Sequence, residues 1–357
     1  MIPYYIILGI LILFSLLDII HLSPKIRIAF ICPVFLGLVC FAAFRMNNPD
    51  WGAYCDIYQD ASKGEFMETG DAGFGLLAFL LSRVSRFPVL MFLAVSFLSV
   101  WLNIKFLSKC TPYMFTCLLL YFVHNYVLKD MIQIRAGLAS AICLYSLTFL
   151  PSENYRKAVL IWLLAVTVHI SSVVFGLTFI VNRFNFQSRV LLSGVVICLF
   201  IGSVYPFGQV IKSVVGIGDY EGRIADYVAY GNGGYAAELG IWSNINTIKC
   251  LIVFGGLLLF WDKLCRYSPY FKPVFYAYFT GLCWLLCFND FSIVGARISN
   301  ILTSGEPVLL TMPFCLLARN TRPFYLLALV LLAISMFQFN ISPDKVVPYQ
   351  FYFSSRL

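Results

Sequence analysis

Residues 88–107 read PVLMFLAVSFLSVWLNIKFL, twenty positions with a single charge, Lys105, near their end. A helix of about twenty apolar residues crosses the roughly 30 Å hydrocarbon layer of a bilayer. Apolar stretches of this kind recur from Met1 to Asn340, separated by polar breaks. Across the 357 residues, 61% are hydrophobic and 12% are charged, against the roughly 25% charge that keeps a soluble surface wet. The predicted spans are 2–20, 26–44, 72–83, 88–107, 113–128, 133–150, 158–180, 190–206, 244–262, 273–289, 293–317 and 322–339. The expectation is an all-α polytopic membrane protein of about 12 transmembrane helices, within a range of 10–14, forming one transmembrane helical domain over residues 1–357. The first segment has no basic flank and ends in Asp18 and His21 rather than small residues, so it reads as a retained helix and not a signal peptide.

Composition excludes several classes. The formal charge of +8 comes from short clusters of Lys and Arg at segment ends, which suits a membrane surface and not a nucleic-acid groove. The cysteines other than Cys55 lie in or against apolar stretches and read as packing residues, and Cys283 with Cys287 lacks the further ligands a metal site needs. No nucleotide-binding loop, dinucleotide fingerprint, H-E-x-x-H or G-x-S-x-G is present, and no cofactor is expected.

Two long loops, 45–71 and 207–243, have room for substrate contacts. The first carries six of the seventeen acids, and the second holds Asp219, Glu221, Asp226 and Glu238 among glycines and tyrosines. Such base-poor loops suit the outer face, whereas Lys25 with Arg27, Lys263 with Arg266 and Lys272, and Arg319 with Arg322 mark inner ones. Twelve spans with both loops outside put both termini outside, and Lys105 with Lys109 and Arg156 with Lys157 then fall on the side the charge rule disfavours.

Few polar groups are available for chemistry. Arg135 heads QIRAGLASAI, where small residues permit close helix approach; its guanidinium either pairs with phosphate oxygens or anchors a helix end. Arg297, inside FSIVGARISNIL, needs a phosphate ligand or a partner such as Asp290 or Glu306. His169, in LAVTVHISSVVF, is either a general base or a hydrogen-bonding link between helices. Asp50 and Tyr54 share a face that could bind a sugar if the segment is helical, and are a turn and its sequel if it is not. Arg223, in GDYEGRIADYVAY, reaches a phosphate or pairs with Asp219 or Asp226.

Six stretches together carry a resemblance: FRMNNPDWGAYCDIY (44–58), DAGFGLLAFLLS (71–82), IQIRAGLASAICL (132–144), VHISS (168–172), GARISNIL (295–302) and VPYQFYF (347–353). In this order they resemble the EpsG-type branch of the Wzy polysaccharide polymerases, bacterial proteins that assemble O-antigen, capsule or exopolysaccharide repeats. The resemblance implies an architecture like that of the C-type membrane glycosyltransferases. It places the protein in the bacterial cytoplasmic (inner) membrane, with its active site facing the periplasm or exterior. The implied partners are undecaprenyl-pyrophosphate-linked glycans, membrane lipid and a chain-length regulator. It implies roles near Arg45, Asp50, Tyr54, Arg135, His169 and Arg297. In the mechanism that follows, the growing glycan is transferred with inversion to the non-reducing end of a new repeat, Arg135 and Arg297 hold the pyrophosphate, and His169 or Asp50 is the base. A lipid-linked oligosaccharide flippase or exporter, or a membrane O-acyltransferase, would share part of this pattern.

Overall fold

A computed structural model describes residues 1–20, 23–46, 48–67, 70–205, 207, 239–341 and 346–355. Among the described residues the protein is all-α apart from one two-stranded ladder. The expected twelve spans are not what these residues form. Among the described residues, three helices are long and apolar enough to cross a membrane: Lys25–Ala43, Val89–Cys110 and Arg322–Asn340. The rest of the apolar sequence is divided into shorter pieces. Segment 133–150 yields a helix of 14 residues, Ile134–Leu147, about 21 Å long at 1.5 Å per residue and short of the roughly 30 Å needed. Segment 158–180 breaks at His169, and 293–317 alternates between α and 3-10 turns. Hydropathy merges such pieces because it does not register where the backbone leaves the helical region.

The chain divides into two compact units, Met1–Val173 with Pro307–Leu357, and Val174–Glu306. The first contains α1 (Ile2–Ser15), α2 (Pro24–Ala43), β1 (Arg45–Met46), α3 (Trp51–Lys63), α4 (Ala72–Ser82), α5 (Val89–Cys110), α6 (Met114–Tyr121), α7 (Ile134–Leu147) and α8 (Tyr155–Val168). Its centre is α6, buried along its whole length, continued by a π-helical stretch Phe122–Asp130. Around it, α1 packs on α6, α2 on α5, and both α5 and α8 on α7. The 45–71 segment, expected as a loop, holds α3, started by Asn48: its Oδ1 accepts the Asp50 N–H at 3.1 Å and its Nδ2 donates to the Met131 carbonyl at 2.7 Å. The late strand β2 (Gln350–Phe351) pairs antiparallel with β1, Arg45 opposite Phe351 and Met46 opposite Gln350.

Where the π-helical stretch ends, Asp130 accepts hydrogen bonds from Ser99 Oγ and from Tyr121 OH, the latter at 2.6 Å. Gly137 lies against this turn, and a Cβ there would meet Asp130 Oδ1 at 2.9 Å. A larger residue would push away the first turn of α7, which carries Arg135.

The second unit contains α9 (Gly176–Phe184), α10 (Ser188–Val204), α11 (Ile245–Leu259), α12 (Trp261–Tyr267), α13 (Phe271–Cys287) and α14 (Ser292–Leu302). Its centre is α13, on which α9, α10, α11 and α14 pack. Gly281 permits the close crossing with α14, where a Cβ would meet Leu302 Cβ at 2.8 Å, and Ser299 Oγ donates to the Gly281 carbonyl at 2.9 Å. Lys249 Nζ on α11 meets Glu306 Oε1 at 2.7 Å, with Glu306 fully buried.

Outward faces are apolar as well. Ile2, Ile6, Ile10 and Leu13 of α1, and Val190, Ile197, Phe200 and Val204 of α10, are exposed. Helices apolar inside and out need lipid as their outer solvent. The chain is a membrane protein with several apolar spanning helices.

Candidate functional site

The backbone break after α8 builds the site in the first unit. Val168 closes the helix, His169 takes an extended conformation (φ −154°, ψ 113°), and a 3-10 turn follows over Ile170–Phe175. The break frees the Ile170 N–H from helical pairing, and it donates to Asp71 Oδ1 at 2.9 Å. Asp71 immediately precedes α4, yet its carboxylate does not cap that helix. It is 5% exposed and reaches across the unit instead: Oδ2 accepts from Arg135 Nη1 at 2.7 Å and from His169 Nδ1 at 3.4 Å.

One buried carboxylate thus orients an arginine and a histidine that are each about a quarter exposed. Burial alone would raise the Asp71 carboxyl, but hydrogen bonds from His169 and the Ile170 N–H, with the charges of His169 and Arg135, outweigh it and hold the group below its ordinary range. With Nδ1 engaged, Nε2 is the histidine atom that can take a proton. The close approach of α4 to α8 depends on Gly73, where a Cβ would meet the Thr167 carbonyl carbon at 2.9 Å.

Aromatic rings wall the arginine. The guanidinium carbon lies 5.6 Å from the Tyr54 ring centroid and 5.9 Å from that of Phe74. Tyr54 and Trp51 both pack on Phe92, the Trp51 ring stacked at 6.4 Å with an interplanar angle of 7°. Burial pushes the Tyr54 hydroxyl up. Asp50 stands one turn earlier, half-buried at the start of α3.

Of the residues expected from sequence, Arg135, His169 and Tyr54 therefore converge, with Asp50 on the same helix as Tyr54. Arg45 has no hydrogen bond to this group and is buried elsewhere in the unit. Arg297 is half-buried on α14 in the second unit. Arg223, and the tyrosine-rich 219–235 stretch, fall outside the described residues. Asp71 was missed, although it stands directly before the apolar run AGFGLLAFLLS. An acid at that place reads as a helix cap, and only the fold brings it to partners 64 and 98 residues away.

The site thus joins an acid-oriented histidine to an aromatic-walled arginine in a helical membrane chain. The chain belongs to the EpsG family, whose model matches residues 28–351. Membership makes it one of a biosynthetic enzyme family with a general role in polysaccharide biosynthesis. It is also similar to a protein of Erwinia amylovora described as "Amylovoran biosynthesis protein AmsC", with 27% identity over 304 residues, covering 78% of this chain and 77% of the relative. No solved structure matches.

Proposed function

We propose that this protein polymerises undecaprenyl-pyrophosphate-linked oligosaccharide repeats. The growing glycan is transferred from its lipid pyrophosphate to the non-reducing end of a new repeat, at the outer face of the bacterial inner membrane. The observation that carries the reading is the Asp71–Arg135–His169 cluster in an EpsG-family chain. A pyrophosphate leaving group needs a cation fixed in place as its charge develops, and an acceptor hydroxyl needs a base.

The geometry supports the following roles. His169 Nε2 accepts the proton of the acceptor hydroxyl while Asp71 holds Nδ1 and stabilises the imidazolium that forms. The acceptor oxygen bonds to the anomeric carbon, the bond from that carbon to the pyrophosphate oxygen breaks, and the configuration inverts. Arg135 keeps N–H donors beyond the one given to Asp71, and these serve the departing phosphate. Trp51, half-buried, supplies an aromatic face for a sugar ring, with Asp50 at hand to orient its hydroxyls, while the buried Tyr54 ring backs Arg135. A separate chain-length regulator is the expected protein partner.

The test is reconstitution of the purified chain with its matching lipid-linked repeat and a search for a ladder of polymer lengths. The expected result is a ladder that His169→Gln and Arg135→Gln each abolish while both variants stay folded. Movement of intact lipid-linked repeat across proteoliposomes, with no ladder, would replace this reading with a flippase.

A further inference from the structure

Among the described residues, Arg45 is the largest side chain buried to within 1% of complete inaccessibility. Its Nε, Nη1 and Nη2 all lie out of reach of solvent without a hydrogen-bond partner. Its surroundings are tyrosines: the Tyr4 ring, 5.9 Å from the guanidinium carbon, with Tyr126 and Tyr349. None of these can neutralise it. Tyr126 OH donates to the Leu38 carbonyl instead, and the Tyr4 hydroxyl is itself buried and unpaired. Arg135, by contrast, already has its carboxylate. An arginine cannot shed its proton, so a buried guanidinium with no anion and no acceptor among the described residues marks a place where an anion belongs.

Beside it runs an apolar groove of about 460 Å³ between α1 and α2, lined by Leu11, Phe14, Pro33, Gly37, Phe41 and Tyr349 among others. Tyr349 belongs to both features. Its ring stacks on Phe41 at 4.4 Å, interplanar angle 3°, on the groove side, and its hydroxyl is among the groups acting on Arg45. One of the groove's walls, α2, is a helix of membrane-crossing length. An apolar groove that the Tyr349 ring divides from an unpaired cation has the chemistry of a lipid with an anionic head.

We propose that Arg45 and the α1–α2 groove form a binding site for a phosphate-bearing membrane lipid, its tail along the groove and its phosphate on the guanidinium once the Tyr349 ring swings off Phe41. The site is separate from the Asp71 cluster and does not depend on the reaction proposed there. A free phosphate would use Arg45 alone; a lipid uses the groove as well, and this separates the two sources.

The experiment uses the full chain in detergent with dioleoyl phosphatidate, dioleoylglycerol and inorganic phosphate as probes, read by native mass spectrometry and thermal melting. Wild type should retain phosphatidate and melt higher with it, because a ligand that binds only the folded state stabilises it. Arg45→Gln, which keeps a polar side chain and removes the charge, should melt no lower than wild type without lipid and lose at least about tenfold in retention. Gly37→Phe should do the same from the other end, since the space beyond the Gly37 Cβ position is open and a ring there fills the groove. Dioleoylglycerol should be retained weakly, and millimolar phosphate should not displace phosphatidate. Unchanged retention in either variant would overturn the proposal, as would displacement of phosphatidate by inorganic phosphate.

Discussion

Asp71 and Arg135, 64 residues apart in sequence, meet carboxylate to guanidinium at 2.7 Å, and the same Asp71 oxygen faces His169. A single acid therefore sets the direction of both groups to which the transfer chemistry is ascribed. If so, removing the acid's charge should disable the site while leaving the fold standing.

Asp71→Asn keeps the shape and removes the charge. Turnover in the polymer-ladder assay should fall by about 10²–10⁴, the range for a misdirected acid–base group. Stability should fall by only about 1 kcal/mol, because Arg135 is a quarter exposed and water screens the pair. A double-mutant cycle with Arg135→Gln, read by thermal melting and by turnover, should give a larger coupling in turnover than in stability. Equal coupling in both would reduce Asp71 to a structural anchor.

Acid should erase the Asp71 contribution. Its folded-state carboxyl sits below the ordinary value, so its stabilising share is fully present above the unfolded value of about 3.9 and is lost as pH falls through the folded one. The difference in melting temperature between wild type and Asp71→Asn should close below about pH 4. A gap that widens between about pH 5 and pH 3 would contradict the assigned direction.

Gly73→Ala should be worse than its size suggests. The added methyl must displace the Thr167 backbone, whose carbonyl carbon would be 2.9 Å away, so α4 must shift from α8 and take Asp71 with it. A loss of about 1–3 kcal/mol in unfolding free energy is expected, as for other overpacked sites, with a drop in turnover. Thr167→Ala in the same chain should restore little, since the backbone contact is unchanged.

In the second unit, the buried Lys249–Glu306 pair makes an independent prediction. Lys249→Met removes the charge that balances a buried carboxylate and should destabilise by about 3–5 kcal/mol, whereas adding Glu306→Gln should recover most of it. Equal melting of the single and double variants would show that the carboxylate finds another partner.

The sequence made the helical class, the membrane setting and the family visible, because composition and the spread of motifs survive any error in segment boundaries. Three of the converging residues were also legible: Arg135 from its place at the head of a small-residue helix, His169 as a polar group in an apolar run, and Tyr54 one turn beyond Asp50. The number of spans was not. A hydropathy window sees 158–180 as continuous, while the structure stops α8 at Val168 and uses the freed Ile170 N–H for Asp71. The same break that defeats the span count builds the site. Asp71 escaped notice for a related reason: its local setting gives a helix cap, and nothing near it in sequence announces partners on α7 and beyond α8.

The pairing of β1 with β2 joins Arg45 to Phe351, and the ribosome makes these residues in a fixed order. Some three hundred residues are synthesised between them, which at about 5–20 residues per second takes roughly 15–60 s. Throughout that interval the nascent chain holds Arg45 and β1 but has neither the strand nor the Tyr349 that will stand beside the guanidinium. Arg45 is therefore made long before the segment that walls it, and the enclosure of its charge is completed only when β2 arrives.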